Sequence, residues 1–455
     1  MITESHITGL RASLRGPLLC PGDQGYDAAR TIPNAMIDRR PALIAQCSGV
    51  ADVMACVRFA CEHDVLVSVR GGGHSIAGKA VCEGGLMIDL SEMKGMRVDP
   101  VKRTARSEAG LTLGEFDRET QAFGLATTLG VVSRTGIAGL TLGGGLGWLM
   151  SKHGLACDNL ISADVVTADG RLLTASATEN DDLFWGVRGG GGNFGIVTSF
   201  EYRLHEVGPV LGGAMFYPVA KTKEVLRFYR EFSGTSPDEL TTQTGVFMTP
   251  DGVLVIAVGG CYCGPISEGE KVLKPLRQFG TPVADVFGVI SYLEMQRMFD
   301  ALFPPGRLTY TRANFLGGLS DEAIEAMAEY AGSAPSPYTF GPVLEHVHGA
   351  VSRVGISDTA FAHRTYPFNF SVWSRWADAD DTEKNMQWTR ACWNAMQPFM
   401  AAGAYVNYLE DEADPREREA YGPNHGRLVA LKNKYDPNNF FRMNHNIKPS
   451  QAAKA

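Results

Sequence analysis

The sequence predicts an α+β fold in two domains, and three observations carry that prediction. Its 455 residues exceed what one ordinary domain holds. The first 205 residues alternate helix-period and strand-period segments in the manner of an α/β domain. From about residue 208 the texture changes: helical segments alternate with long strand-like runs, as in an antiparallel sheet with helices on one face.

Taken in order, residues 50–62 place Val50, Val53, Val57 and Cys61 on one helical face. Residues 65–69 are a short β-branched strand running into Gly71, Gly72 and Gly73. Thr112 and Glu115 read as a capping box opening a helix that ends near Gly124. Residues 194–204 alternate like a strand. In the second half, helices are expected over 222–232, 268–279 and 321–330. A hairpin is expected over 245–263, turning at Pro250-Asp251-Gly252. Further strands are expected near 308–316, 338–354, 359–373 and 403–409, and a helix near 425–434 stopped by Asp436-Pro437.

Composition excludes several classes. Hydrophobic residues at 44% and charged residues at 20% describe a globular chain rather than a disordered one. A net charge of −8 argues against a nucleic-acid partner, which would demand clustered Lys and Arg. No apolar run is long enough for a membrane span, and the N-terminal residues carry no secretory pattern. The nine cysteines, an odd number, fit a reducing cytoplasm better than a disulfide framework. No spacing of His or Cys suggests a metal site.

Glycine is the informative excess, with 52 residues gathered into runs. Three segments stand out: RGGGHS at 70–75, GIAGLTLGGGLGW at 136–148 and RGGGGNFGIV at 188–197. Glycines in series let backbone N–H groups converge on one concavity and let a ligand approach the main chain closely, a pyrophosphate being the usual guest. A Rossmann reading of 143–147 fails, because no strand leads in, the spacing is wrong and no ribose-binding acid follows. One such run alone would read as a flexible loop or close helix packing; three in one domain point to a ligand.

These runs, with HGLACDNL (153–160), DLFWGVRGGGGNFGIVTSFEYRL (182–204) and the closing YDPNNFFRMNHNI (435–447), resemble the berberine-bridge branch of the vanillyl-alcohol-oxidase superfamily of FAD-linked oxidases, in order along nearly the whole chain. The resemblance implies a PCMH-type FAD-binding domain over 1–205, a substrate domain over 206–424 and a segment over 425–455 returning to the FAD domain. It implies FAD as cofactor, contacted by Arg70, Gly71, Gly72, Gly73, His74, Ser75, Thr135, Gly136, Gly139, Gly143, Gly145, His153, Gly154, Asn159, Gly195, Ile196, Val197, Asn444 and Asn446. His74 stands where this family attaches the flavin to a histidine, and a neutral imidazole is a competent nucleophile at pH 7. Bicovalent members carry a second link through a cysteine, but the matching position here is Val132, so a single link through His74 is expected. Cys157 is either near the flavin or simply a small buried residue. Thr135 matches a position that gates oxygen, and its near-valine size favours an oxidase.

The segment AYVNYLEDE (404–412) resembles the family's active-site strand. It makes Tyr408 the candidate proton acceptor, with Tyr405 and Tyr366 ranked behind it. A free tyrosine has a pKa near 10 and would need a cationic neighbour to act as a base at neutral pH. By the same resemblance, Arg353 stands in place of the glutamate that some plant members use. Arg364, Tyr366 and Phe368 are pocket candidates, Arg364 being equally readable as an ion-pair partner. The implied activity is removal of a hydride and a proton from a small organic substrate, with O₂ as electron acceptor and H₂O₂ as product. A dehydrogenase using another acceptor and a non-catalytic flavin-binding protein are the alternatives. Substrate identity and oligomeric state are not legible.

Overall fold

The computed structural model describes residues 2–249, 251–410 and 416–450. Two β-layers build its first part. Strands Leu43–Gln46, Leu86–Asp89 and Val67–Arg70 run parallel, with Leu18–Leu19 antiparallel at the edge. A five-stranded antiparallel sheet follows, in the order Met96–Asp99, Thr104–Glu108, Ile196–Arg203, Leu160–Val166, Leu172–Ser176. Their shared core also takes in Leu428, Leu431, Phe441 and Ile447, so the end of the chain packs back onto the first part.

That return is fixed by a buried ion pair. Lys432, in the helix His425–Tyr435, meets Asp436 at 2.6 Å, and both side chains are fully buried. Lys432 also donates to the carbonyls of Asn193 and Phe441, while Asp436 accepts from the amides of Phe440 and Phe441. The expected helix stop at Asp436 is thus also a clamp on the loop after it.

The middle of the chain forms a large antiparallel sheet. Its strands run in the order Ala284–Asp285, Val210–Pro218, Leu254–Tyr262, Leu240–Met248, Phe340–His346, Phe368–Trp376, Leu308–Leu316. Helices Thr222–Ser233, Ile266–Gln278, Asp321–Ala331 and Thr382–Met396 bury their apolar stripes against one face. Strand alternation sorts the side chains. Phe368, Phe370 and Val372 face the helices, whereas Ser371 and Trp373 face the other way, toward a cavity. The fold is therefore α+β, with an antiparallel sheet covered by helices on one side, as the sequence predicts.

Several expected elements differ in detail. The helix Val50–Glu62 appears at its expected bounds, but its buried stripe is Val53, Cys56, Val57 and Ala60, and Cys61 is exposed. The capping box is present: Glu115 accepts from both the amide and the hydroxyl of Thr112. The hairpin joins Leu240–Met248 to Leu254–Tyr262 around Gly252, whose φ of +83° suits glycine; Pro250 lies outside the described residues. Only Phe368–Trp376 of the expected 359–373 strand is a strand. Before it the chain is tied to the first part, with the Phe361 amide donating to the Arg188 carbonyl and the Arg364 side chain paired with Asp158. The expected strand at 403–409 is a loop carrying one 3₁₀ turn, Val406–Tyr408. Its side chains, rather than a sheet ladder, anchor it; Asp411 and Glu412 lie outside the described residues.

Candidate functional site

A cavity of about 350 Å³ separates the glycine loops of the first part from the helix-free face of the large sheet. That volume falls in the range of roughly 300–1,000 Å³ usual for small-molecule sites. One side is mostly main chain. Gly71, Gly72, Gly73, His74 and Ser75 line it, followed by Thr135, Gly136, Gly139 and Gly143, and then by Gly195, Val197 and Asn444. Among the described residues, the amides of Gly72, Gly73, His74 and Ser75 find no backbone acceptor within the chain. The first two loops meet so closely that a Cβ on Gly72 would lie 2.4 Å from the Gly136 nitrogen, so neither position admits a side chain. The Asn444 Oδ1 is buried without a partner. Free amides on a side-chain-free cradle, with an orphaned amide oxygen beside them, fit an elongated phosphate-bearing cofactor.

His74 sits on this wall. Burial and the nearby Arg134 charge hold its imidazole down to about pKa 4, so it is neutral at physiological pH. Val132 also lines the cavity and, among the described residues, no cysteine does. Cys157 is wholly buried among Leu146, Met150 and Leu155, and burial pushes its thiol well up.

The facing wall holds a chemistry that the sequence reading missed. Glu345, on Phe340–His346, is 6% exposed, yet it lines the cavity. Asn369 donates to its Oε2 at 2.6 Å and the Tyr408 hydroxyl donates to its Oε1 at 3.3 Å. Burial raises the Glu345 carboxyl to about pKa 7, against the pull of those two donors. Tyr408 therefore has a carboxylate, not a cation, as its neighbour, and burial together with Glu345 drives its phenol well above the ordinary value. Arg353, expected in the place of a glutamate, is exposed and paired with Asp238. A carboxylate closing the otherwise apolar run FGPVLE was the available signal.

Tyr405 also lines the cavity, and its ring meets Tyr408 edge-on at 4.8 Å. Its oxygen accepts from the amides of Gly145 and Leu146 and from Asn407 Nδ2. It ties the 405–408 loop to the glycine run rather than offering a free base. Tyr366 lies outside the lining: its hydroxyl donates to the Ala402 carbonyl and its ring packs on Phe315 and His363.

Seven expected cofactor contacts also fall outside the lining. Arg70 turns away to pair with Asp89 and to donate to the Thr31 carbonyl. The Gly145 amide is spent on Tyr405. His153 stacks on His205 at 3.8 Å, and Asn159 binds the His153 carbonyl and the His205 ring. Gly154 makes a turn at φ +78° over Asp158. Ile196 points into the core by alternation with Gly195 and Val197, and Asn446, though its Oδ1 is unpaired, does not reach the cavity. Arg364 resolves as an ion-pair partner, bidentate to Asp158 at 2.7 Å, and Phe368 belongs to the helix-side core.

Comparison with known proteins accords with this geometry. Residues 41–176 match an FAD binding domain family, and residues 404–448 match the family described as berberine and berberine like. An FAD-linked oxidoreductase of Dictyostelium discoideum is 34% identical, the alignment covering 92% of this chain and 91% of that protein. The crystal structure of 6-hydroxy-D-nicotine oxidase from Arthrobacter nicotinovorans superposes with a TM-score of 0.88 at 30% identity, over 96% of this chain and 99% of that one. A chitooligosaccharide oxidase structure gives 0.88 at 27% identity, over 98% and 100%.

Proposed function

This chain belongs to the berberine-bridge-like FAD-linked oxidoreductases, and from that premise we propose that it is an oxidase. It takes a hydride and a proton from a C–OH or C–N carbon of a small organic molecule, and O₂ carries the electrons away as H₂O₂. Bound FAD supplies the two-electron acceptor; the proton is left to the chain's own residues. The observation that carries the reading is the Tyr408 hydroxyl on Glu345 Oε1 at the cavity wall. A phenol alone is too weak a base at neutral pH, and a carboxylate poised near 7 is well matched to it. Tyr408 Oη takes the substrate's O–H or N–H proton as its own proton passes to Glu345 Oε1. Tyr405 holds the loop that presents Tyr408, and the glycine cradle, with Asn444, grips the cofactor.

Two finer points belong to the same proposal. His74, neutral and beside the cradle, forms the single covalent link to the flavin, because no thiol lines the cavity among the described residues. Thr135, on the lining, is small enough to leave the cofactor open to O₂.

The test begins with acid precipitation of the holoenzyme, which should leave a yellow pellet whose digest holds one flavinylated peptide containing His74. The holoenzyme is then mixed anaerobically with a panel of alcohols and amines. Bleaching of the flavin by a panel member, followed by rapid recovery and H₂O₂ release on aeration, supports an oxidase. Bleaching that recovers only with an artificial acceptor would make it a dehydrogenase, and flavin released by acid would remove the His74 link.

A further inference from the structure

We propose that the cavity selects a planar aromatic substrate bearing one hydrogen-bond acceptor, which Gln243 recognises. The inference rests on the oxidase reading above for the fate of that substrate, but its evidence is separate. Gln243 projects from Leu240–Met248, is 7% exposed and lines the cavity, yet its Nε2 finds no acceptor among the described residues. A buried amide donor left unpaired is costly, and such groups in native proteins call for a partner. Its strand register pairs it with Glu345, so the orphaned donor and the poised carboxyl stand side by side on one sheet face.

Apart from Val343 and Ser371, the rest of that wall is rings. Phe303 meets Phe340 and Trp373 edge-on, each at 5.7 Å, and Trp373 meets Tyr408 edge-on at 4.9 Å. Phe299 continues the panel at 6.1 Å from Phe340. Phe299 and Phe303 flank the 3₁₀ turn Asp300–Leu302, and that turn is fastened across the cavity. Asp300 accepts from the Ser133 amide at 2.8 Å and from its hydroxyl at 2.5 Å, and Arg375 donates to the Leu302 and Pro304 carbonyls. The rings are therefore set in place before any ligand arrives.

This surface suits an aromatic plane better than a sugar. A pyranose presents hydroxyls around its whole edge and needs several polar side chains to meet them. On the sheet side of the cavity the polar groups are Gln243, Glu345 and Ser371, joined by Asn407 and the Tyr408 hydroxyl from the adjoining loop. Ser371 Oγ already accepts from Trp373 Nε1 at 3.0 Å, Asn407 donates to the Leu140 carbonyl and Tyr405, and Tyr408 donates to Glu345. Aromatic faces reward a flat ring by offset or edge-on packing, and one donor rewards one acceptor: a carbonyl, a phenolic oxygen or a ring nitrogen.

Equilibrium titration of the holoenzyme, read by calorimetry and by perturbation of the flavin spectrum, tests this without turnover. The probes are benzamide, toluene, cyclohexanecarboxamide and cellobiose. Benzamide should bind tightest, with toluene and cyclohexanecarboxamide each weaker by about tenfold or more, one lacking the acceptor and the other the plane. Gln243→Leu should weaken benzamide about tenfold while leaving toluene unchanged, and Phe303→Leu should weaken both. Cellobiose binding as tightly as benzamide, or Gln243→Leu shifting toluene and benzamide equally, would overturn the proposal. If the aromatic probes rank as expected while no oxidisable aromatic alcohol or amine bleaches the flavin, the oxidase reading fails and this inference stands.

Discussion

Glu345 and Tyr408 reach each other from different parts of the chain: Glu345 from a strand of the large sheet, Tyr408 from the loop leading back to the first part. Their contact at 3.3 Å joins a carboxyl raised to about pKa 7 to a phenol raised further still. The phenol alone is too weak a base at neutral pH, and in the proposed relay the carboxylate is the final acceptor. Glu345→Gln keeps the shape and the contact with Tyr408 while removing that acceptor. Flavin reduction under anaerobic stopped flow should slow by about 10²–10⁴-fold. The parent's rate should rise with pH through about 7, as Glu345 loses its proton, and the variant should lack that limb. An unchanged limb in Glu345→Gln would assign it to another group.

Tyr408→Phe separates relay from packing. The phenol's hydrogen bond lowers the Glu345 pKa, so its loss should move the remaining acid limb to higher pH as well as reduce the rate. Ring packing against Trp373 and Tyr405 is preserved, so flavin content should not change. A variant that reduces its flavin as fast as the parent, with the same pH profile, would leave Tyr408 only a packing role.

The same carboxyl makes a stability prediction. Its folded pKa lies above the ordinary value, so the folded state holds the proton more tightly than the unfolded one. Stability from this group is present below the unfolded pKa and is lost as pH rises through about 7. Glu345→Gln should therefore gain stability relative to the parent between pH 5 and pH 9 (both chosen as roughly bracketing the titration), measured as the difference in urea midpoints. A pH-independent difference would place the parent's titration elsewhere.

The glycine cradle was legible because glycine runs have few other uses at that density, and His74, at the end of one, lies on the cavity wall. The helices at 50–62 and 321–330 and the strand at 308–316 were legible from period alone. What failed was whatever depends on contacts distant in sequence. The 403–409 segment has strand-like composition but is held by Tyr405 on the Gly145 and Leu146 amides, some 260 positions away. Arg70, His153 and Asn159 sit within motifs that shape the cradle, yet their side chains serve the scaffold behind it. Glu345 was hidden because a register shift in its strand, between Phe340 and Val343, spoils the alternation that would have aimed it at the cavity.

Thr135→Leu tests access of oxygen. Thr135 lines the cavity beside Gly136, and on the proposed reading a larger apolar side chain there crowds the cofactor. Anaerobic reduction should remain close to the parent's, whereas reoxidation of the reduced enzyme by O₂ should slow by about tenfold or more, a difference of roughly 1.4 kcal/mol in barrier. Equal reoxidation rates in the two proteins would take Thr135 out of the argument.

Lys432→Met tests the clamp at the end of the chain. Lys432 and Asp436 are both fully buried, and the lysine also satisfies two carbonyls, one on each side of the junction between the 190s loop and the closing segment. Methionine fills much of the same volume but leaves the Asp436 carboxylate without its counter-charge, and breaking a buried pair from one side costs about 3–5 kcal/mol. The urea midpoint of the holoenzyme should fall accordingly. Asn193 and Asn444, which border the cavity, hang on the same junction, so noncovalent FAD affinity in a His74→Ala background should weaken too. The double variant Lys432→Met with Asp436→Asn removes the stranded charge and should recover part of the stability. If the double variant is no more stable than Lys432→Met, the cost lies in the lost carbonyl contacts rather than in the uncompensated carboxylate.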